Sequence, residues 1–128
     1  MNIGEAARKS GIPAKTIRYY EESGLIAPAG RTAAGYRSYS EADVHTLSFL
    51  KRARDLGFSV KDCAILLSLY QDKNRSSADV KDLARQHIDR IAAKIEELEQ
   101  MRSTLQTLVN QCHGDDRPQC PILEDLAH

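Results

Sequence analysis

Residues 2–24 have the sequence NIGEAARKSGIPAKTIRYYEESG, which predicts two short helices joined by a tight turn. Asn2 is a good N-terminal cap, and Gly11 is typical of the residue that ends a helix. Pro13 suits the first turn of the second helix. A turn of three to four residues between two short helices is the spacing of a helix-turn-helix, which we predict at about residues 3–22.

The chain changes character after this motif. Several Gly and Pro residues exclude a helix over residues 25–39, and we predict a small two-stranded wing at about 27–39. The motifs Ser40-x-x-Asp43 and Ser59-x-x-Asp62 each resemble the start of a helix. They predict further helices at about 41–56 and 60–71. Residues 1–75 are therefore expected to form a winged helix-turn-helix domain.

A much longer helix is predicted next, because residues 77–109 contain no Gly or Pro. Eight positions in this segment follow one another in alternating steps of four and three residues, and seven of them are apolar. This seam comprises Ala84, Ile88, Ile91, Ile95, Leu98, Arg102, Leu105 and Val109. One narrow apolar stripe on a long helix indicates a coiled coil, so residues 76–110 are predicted to be a dimerisation helix. The alternative is a helix that lies along its own domain. Residues 111–128 are expected to form a loop and a last helical turn.

Composition excludes several classes of protein. The chain has 128 residues, of which 41% are hydrophobic, and it has no apolar run of the roughly 18 residues that span a membrane. The N-terminus is polar and does not resemble a signal peptide, which predicts a cytoplasmic location. Three cysteines are an odd number, which argues against a disulfide scaffold. No nucleophile with its base, paired carboxylates or phosphate-binding glycine loop is evident, so an enzyme is not expected.

The net charge of zero conceals an asymmetry that favours a polyanionic partner for the front half. Residues 1–75 contain twelve Lys and Arg against eight Asp and Glu, whereas residues 76–128 contain six against ten. Arg, Lys, Thr and Tyr are the side chains that hold DNA phosphates or read base edges. The candidate DNA-binding residues are Lys15, Thr16, Arg18, Tyr19 and Tyr20 on the second helix, Arg31, Tyr36 and Arg37 on the wing, and Arg54. Tyr20 is also expected to be at least partly buried.

Several of these motifs together closely resemble the MerR family of transcription regulators. They are Asn2-Ile3-Gly4-Glu5-Ala6-Ala7, Thr16-Ile17-Arg18-Tyr19-Tyr20-Glu21, Gly24-Leu25-Ile26, Gly35-Tyr36-Arg37-Ser38-Tyr39 and Leu56-Gly57-Phe58-Ser59. The resemblance implies a mainly α fold with a winged helix-turn-helix head, a long antiparallel coiled-coil dimerisation helix and a C-terminal effector loop. It also implies a homodimer that binds promoter double-stranded DNA with an over-long spacer and distorts it for RNA polymerase, thereby activating transcription.

Two cysteines separated by seven residues, Cys112 and Cys120, indicate a metal site in the C-terminal loop. Two thiolates favour soft ions such as Cu(I), whereas zinc usually takes four ligands. Zinc is not excluded, because further possible ligands lie near the cysteines in the sequence. They are His113, Asp115, Asp116 and His128. A reversible disulfide between the two cysteines is a further alternative. Cys63 lies on the apolar face of its helix and is expected to pack as a small hydrophobic residue.

The cysteine loop itself resembles that of the copper-efflux branch of the MerR family, which senses Cu(I), Ag(I) or Au(I) through two cysteines. This resemblance implies one monovalent ion per loop and the control of efflux or detoxification genes. Ser77 stands where relatives that bind divalent ions have a cysteine. We expect the start of the long helix, Ser77 with Lys81, to support the negatively charged complex. A thiol redox-responsive regulator and a divalent zinc regulator on the same scaffold are the alternatives.

Overall fold

A computed structural model describes all residues, 1–128, and has six helices and one small sheet, which confirms the mainly helical prediction. The chain divides into two compact units, Met1–Val80 (the head) and Lys81–His128. The elements in chain order are α1 (Ile3–Ser10), α2 (Ala14–Glu22), β1 (Gly30–Arg31), β2 (Arg37–Ser38), α3 (Glu41–Asp55), α4 (Val60–Gln71), α5 (Ser77–Gln111) and α6 (Pro121–Ala127). None of the six helices combines the length and the apolar character that a membrane-spanning helix requires.

The first two helices begin and end at the residues that the sequence indicated. Asn2 Oδ1 accepts a hydrogen bond from Glu5 N at 2.9 Å, and this bond satisfies one of the free N–H groups at the start of α1. Gly11 follows α1 with a φ of 79°, a left-handed conformation that glycine adopts without strain. Pro13 occupies the capping position just before α2 rather than a place within the helix.

The next two helices are capped by serine, as their motifs predicted. Ser40 Oγ accepts from Asp43 N at 3.1 Å while Asp43 Oδ2 accepts from Ser40 N at 2.9 Å, a complete capping box at the start of α3. Ser59 Oγ accepts from Asp62 N at 3.1 Å at the start of α4. These local bonds fix where α3 and α4 begin.

The head has its own apolar core, to which α1, α2, α3, α4 and the end of the wing all contribute. Ile17, Leu47, Leu50 and Cys63 are completely buried. The burial of Cys63 confirms its predicted packing role, and its thiol donates a weak bond to Phe58 O at 3.8 Å. The whole cluster consists of Ala6, Ile12, Ile17, Tyr20, Tyr39, Val44, Leu47, Leu50, Ala53, Cys63 and Leu67.

The wing is a very short antiparallel ribbon. Only two pairs of residues face each other, Gly30 with Ser38 and Arg31 with Arg37. Its connecting turn contains Gly35 at a φ of 86°, which only glycine adopts readily. The ribbon therefore depends on side-chain contacts as well as on its backbone pairing.

The long helix α5 differs from α1, α2, α3 and α4, because none of its 35 residues is buried, whereas each of those four helices has buried residues. The seam side chains are well exposed within the single chain: Ile88 is 61% exposed, Ile95 52% and Leu98 51%. Apolar residues at this spacing normally pack against a second helix. The second unit thus presents an uncovered apolar stripe along its length.

Candidate DNA-binding surface and cysteine pair

Helix α2 presents its basic residues to solvent, as a DNA-binding helix must. Lys15 and Arg18 are both exposed, and they lie three residues apart, which puts them on one side of the helix. Tyr19 is 55% exposed, and Thr16 is half-buried. These four predicted residues are therefore accessible in the head.

Tyr20, the fifth predicted residue of α2, packs into the core of the head. Its side chain belongs to the core cluster and is only 5% exposed, which agrees with its expected burial and leaves little of it accessible to DNA. Its ring lies 6.0 Å from that of Tyr19, centroid to centroid. Adjacent residues point to different sides of a helix, which is why one tyrosine faces solvent while the other packs inward.

The wing and α2 meet around one open hollow of about 450 Å³. Arg18 from α2 lines this hollow together with Tyr36 and Arg37 from the wing, and Asn2 and Ile3 complete its wall. Tyr36 is 75% exposed, the largest value among the exposed large apolar side chains of the chain. Arg18 thus shares one basic surface with two candidate residues of the wing that are distant from it in sequence.

A buried carboxylate, which the sequence analysis did not single out, ties the wing to α2. Glu21 Oε2 accepts from Arg37 Nη1 at 2.7 Å, and Glu21 Oε1 accepts from the Tyr39 hydroxyl at 2.5 Å. Burial and the hydrogen bond to Glu21 raise the pKa of Tyr39. Arg37 is therefore engaged in an ion pair in addition to lining the hollow. The signal that could have revealed Glu21 is its spacing, since it follows Ile17 by four residues on the buried face of α2.

The two remaining basic candidates donate to backbone carbonyls. Arg31 Nη1 donates to Gly35 O at 2.8 Å, which braces the turn of the wing. Arg54 Nη1 donates to Phe58 O at 2.8 Å beyond the end of α3. Each guanidinium has further N–H groups, and both residues are exposed, so both side chains are held in defined positions on the surface.

The two loop cysteines are brought together, although eight positions separate them in the chain. Cys112 directly follows α5, and Cys120 is the residue before α6. The backbone N–H of Leu123 lowers the pKa of the Cys120 thiol, and the N–H of Ile122 and the Cys112 thiol lower it further. Both cysteines are half-buried and free of disulfides. The arrangement provides a pair of neighbouring sulfurs, one of which belongs to a thiol with a lowered pKa.

No other ligand side chains gather around this pair. The chain contains no group of three or more His, Cys, Asp and Glu residues placed to hold one metal ion. His113 is exposed, and Asp115 Oδ2 is bound by Arg117 Nε at 2.7 Å. Within one chain, no third side chain of these types therefore joins the two thiols.

Ser77 and Lys81 lie at the beginning of α5, whereas both cysteines come after its end. Ser77 is the first residue of the helix, and Lys81 lies one turn later. An α-helix rises about 1.5 Å per residue, so about 45 Å of helix separates Lys81 from Gln111. Lys81 and Cys112 of the same chain are thus too far apart to share a site.

Two protein-family models together match most of the chain. The model described as "MerR HTH family regulatory protein" matches residues 1–69. The model described as "MerR, DNA binding" matches residues 44–108. The chain belongs to the MerR family. This confirms the resemblance drawn from the motifs, and the family is one of DNA-binding transcription regulators rather than enzymes.

Full-length relatives include several regulators. The chain is 58% identical to the HTH-type transcriptional regulator HmrR of Rhizobium leguminosarum bv. viciae, over 99% of this chain and 98% of HmrR. It is 54% identical to the "Heavy metal-dependent transcription regulator 2" of Rhizobium meliloti, over 100% and 87%. It is 41% identical to the HTH-type transcriptional regulator CueR of Salmonella typhimurium, over 99% and 92%.

Solved structures share the fold of this MerR-family chain. The transcription regulator PbrR691 from Ralstonia metallidurans, in complex with lead(II), has a TM-score of 0.84 at 28% identity and covers 98% of both chains. HiNmlR, a MerR family regulator bound to promoter DNA, has a TM-score of 0.57 at 26% identity over 86% of this chain and 83% of that chain. MerR regulators bind promoter DNA and act as dimers.

Proposed function

We propose that this chain is a metal-responsive transcription activator that binds one Cu(I), Ag(I) or Au(I) ion through Cys112 and Cys120. The observation that carries the proposal is the pairing of these two thiols, with the pKa of Cys120 lowered and with no third ligand beside them. A heavy metal-dependent regulator that is 54% identical over the full chain supports metal sensing.

The number and type of ligands favour a monovalent soft ion. Thiolates bind soft ions strongly, and Cu(I) is satisfied by two of them, whereas Zn²⁺ takes four ligands in structural sites. A bis-thiolate complex of a monovalent ion carries one negative charge. Its surroundings must offset that charge, since an uncompensated buried charge is costly.

The exposed seam of α5 favours a second copy of the chain as its partner. An antiparallel pair of α5 helices that sets Ile95 opposite Leu98 of the partner subunit aligns every other seam position as well. The other pairs in this register are Ala84 with Val109, Ile88 with Leu105 and Ile91 with Arg102. The register covers the whole seam, which no parallel arrangement can do without placing Arg102 against its own copy.

The same register supplies the positive charge that the metal complex needs. It brings the partner subunit's Lys81 level with Cys112, along with the first turn of the partner's α5, which begins at Ser77. The positive end of a helix and a Lys ammonium both favour a neighbouring anion. Each metal site would therefore be built from two chains, although both of its thiolates come from one.

The head supplies the DNA-binding surface. In the dimer, two copies of α2 and two wings contact promoter DNA, and metal binding makes the dimer distort that DNA so that RNA polymerase can use the promoter. Activation through deformation suits a protein with few base-reading side chains. The residues proposed to contact DNA are Lys15, Thr16, Arg18, Tyr19, Arg31, Tyr36, Arg37 and Arg54.

An anaerobic competition titration of the reduced protein against a Cu(I) chelator tests the metal proposal, with Ag(I) and Zn(II) in parallel. We expect one monovalent ion per chain, bound much more tightly than zinc, with the tight binding lost in Cys112→Ser and in Cys120→Ser. Cys63→Ala is the matched control and retains binding, because Cys63 is buried in the head. Tight zinc binding would reject the monovalent assignment.

The role of Lys81 is tested by Lys81→Ala, with Arg85→Ala, one turn further along α5, as the control of equal charge. We expect Lys81→Ala to weaken monovalent metal binding while the control leaves it unchanged. Equal affinities in both variants would discard the electrostatic role of Lys81.

A thiol redox regulator is the second candidate, because the adjacent thiols that suit a metal also suit a disulfide. Transcription from a regulated promoter separates the two. Activation by Cu(I) under anaerobic, reducing conditions supports the metal sensor. Activation by oxidation in the absence of metal supports the redox reading instead.

A further inference from the structure

Glu21 is a charged residue whose role the proposed function leaves unexplained. Its side chain is only 2% exposed, and it lies near the end of α2, where this helix meets the wing. Burying a carboxylate costs free energy unless it is paired and hydrogen-bonded. We propose that Glu21 is a positioning residue that aims the Arg37 guanidinium at a DNA phosphate, an inference that rests on the proposed DNA-binding function.

The two oxygens of Glu21 have separate partners. Oε1 accepts from the Tyr39 hydroxyl at 2.5 Å, and Oε2 accepts from Arg37 Nη1 at 2.7 Å. Tyr39 is buried in the core and anchors the carboxylate from the protein side. Arg37 extends to the other side, and 36% of its side chain is exposed. The carboxylate therefore connects the rigid core to a guanidinium at the surface.

Arg37 lines the same hollow as Arg18 and Tyr36, two other residues that are proposed to contact DNA. A guanidinium has five N–H donors in a fixed plane, and Glu21 occupies one nitrogen of it. The remaining donors can hold a phosphate, and because the plane is already fixed, little side-chain entropy is lost when DNA binds.

If Glu21 acts only through its net charge, loss of that charge should change DNA affinity in one direction. If Glu21 positions Arg37, the change should be in the opposite direction. A carboxylate in a DNA-binding head repels phosphates, so its removal should tighten binding if only net charge matters. If Glu21 orients Arg37, its removal should weaken binding instead, because Arg37 then loses its fixed direction. Glu22 is the matched control, since it is the adjacent glutamate in α2 and is exposed.

The test is fluorescence anisotropy with full-length, metal-free protein and a duplex that the wild-type protein selects from a random-sequence library. We expect Glu21→Gln to weaken binding about tenfold, as for the loss of one well-placed charged contact. Glu22→Gln should leave affinity unchanged or raise it slightly. In the Arg37→Ala background, Glu21→Gln should cause no further loss, because the residue through which it acts is absent.

A general loss of stability is separated from positioning by Cys63→Ala. This variant leaves a small cavity in the core of the head but keeps both hydrogen bonds of Glu21, so we expect lower thermal stability with DNA affinity close to that of the wild type. An equal loss of affinity in Cys63→Ala and Glu21→Gln would overturn the proposal in favour of general destabilisation.

The remaining outcomes distinguish a failure of the Glu21 positioning role from a failure of the proposed DNA-binding surface. If Glu21→Gln tightens binding as Glu22→Gln does, or if its effect persists in Arg37→Ala, the positioning role is wrong while DNA binding stands. If the wild-type protein selects no duplex, or if Arg18→Ala and Arg37→Ala bind as tightly as the wild type, the proposed DNA-binding surface itself fails.

Discussion

The head and the second unit treat their apolar side chains in opposite ways. In the head, Ile17 and Leu50 are completely buried among residues of the same chain. In the second unit, α5 has no buried residue, and Ile88 remains 61% exposed. The head can therefore be stable as a single chain, whereas the apolar stripe of α5 is buried only when another molecule packs against it. The two kinds of stability should respond differently to mutation and to protein concentration.

The largest effect is expected for Leu50→Ala in the core of the head. Removing a completely buried leucine side chain leaves a cavity and costs about 2–5 kcal/mol of the free energy of unfolding. Urea unfolding monitored by circular dichroism measures this loss, which should be the same at different protein concentrations. The control Ile65→Ala, at a position 42% exposed on α4, should cost less than about 1 kcal/mol. Equal losses in the two variants would contradict the burial described for the head.

Leu98→Asp tests the seam of α5. A carboxylate in place of a leucine that packs against a partner helix should raise the dissociation constant of the dimer at least about a hundredfold. Sedimentation velocity at several concentrations measures the change, and the head should remain folded. Gln100→Asp, on the side of α5 away from the seam, is the control of equal charge. A dimer that is unaffected by Leu98→Asp would mean that the seam is not the interface.

The cysteines of the two units should also differ in their chemical reactivity. The backbone N–H groups of Leu123 and Ile122 lower the pKa of Cys120, while burial raises the pKa of Cys63. At pH 7, Cys120 should react with iodoacetamide at least about tenfold faster than Cys63, as followed by mass spectrometry. Because its pKa is lowered, Cys120 should also retain its thiolate to a lower pH than an ordinary cysteine. The two rates should become similar in denaturant. Similar rates in the native protein would contradict the different environments described for Cys120 and Cys63.

The smallest effect is expected at a helix end. Ser59→Ala removes the hydroxyl that accepts from Asp62 N, and it should cost about 1 kcal/mol of the free energy of unfolding. Thermal denaturation of the head provides the measurement. Ser68→Ala, within α4 and exposed, should change stability little or raise it, because alanine is the better helix former. A larger loss for Ser68→Ala than for Ser59→Ala would rule out the capping role.

The helices could be predicted because their limits depend on neighbouring residues. Asn2, Ser40 and Ser59 each bond to a backbone N–H three residues away, and such bonds are visible in the sequence as short motifs. The absence of Gly and Pro likewise determined the extent of α5. The pairing of Glu21 with Arg37 could not be predicted in this way, because 16 positions separate the two residues and only the folded wing brings them together.

The candidate sites were predicted as sets of residue types rather than as geometry. Two cysteines in one loop suggested a metal site, and folding does bring their thiols together. In contrast, the same polar-aromatic pattern marked both Tyr19 and Tyr20 for DNA binding, although packing directs one outward and the other into the core. Periodicity identifies the buried face of α2 correctly, whereas the residue types alone do not distinguish the two tyrosines.

The two strands of the wing are attached to the head with unequal strength. Strand β2 precedes the buried Tyr39 and carries Arg37, both of which are bound to Glu21, whereas both residues of β1 are exposed. Opening should therefore begin at β1 and the turn, and the amide protons of Thr32 and Gly35 should exchange with solvent long before those of α3.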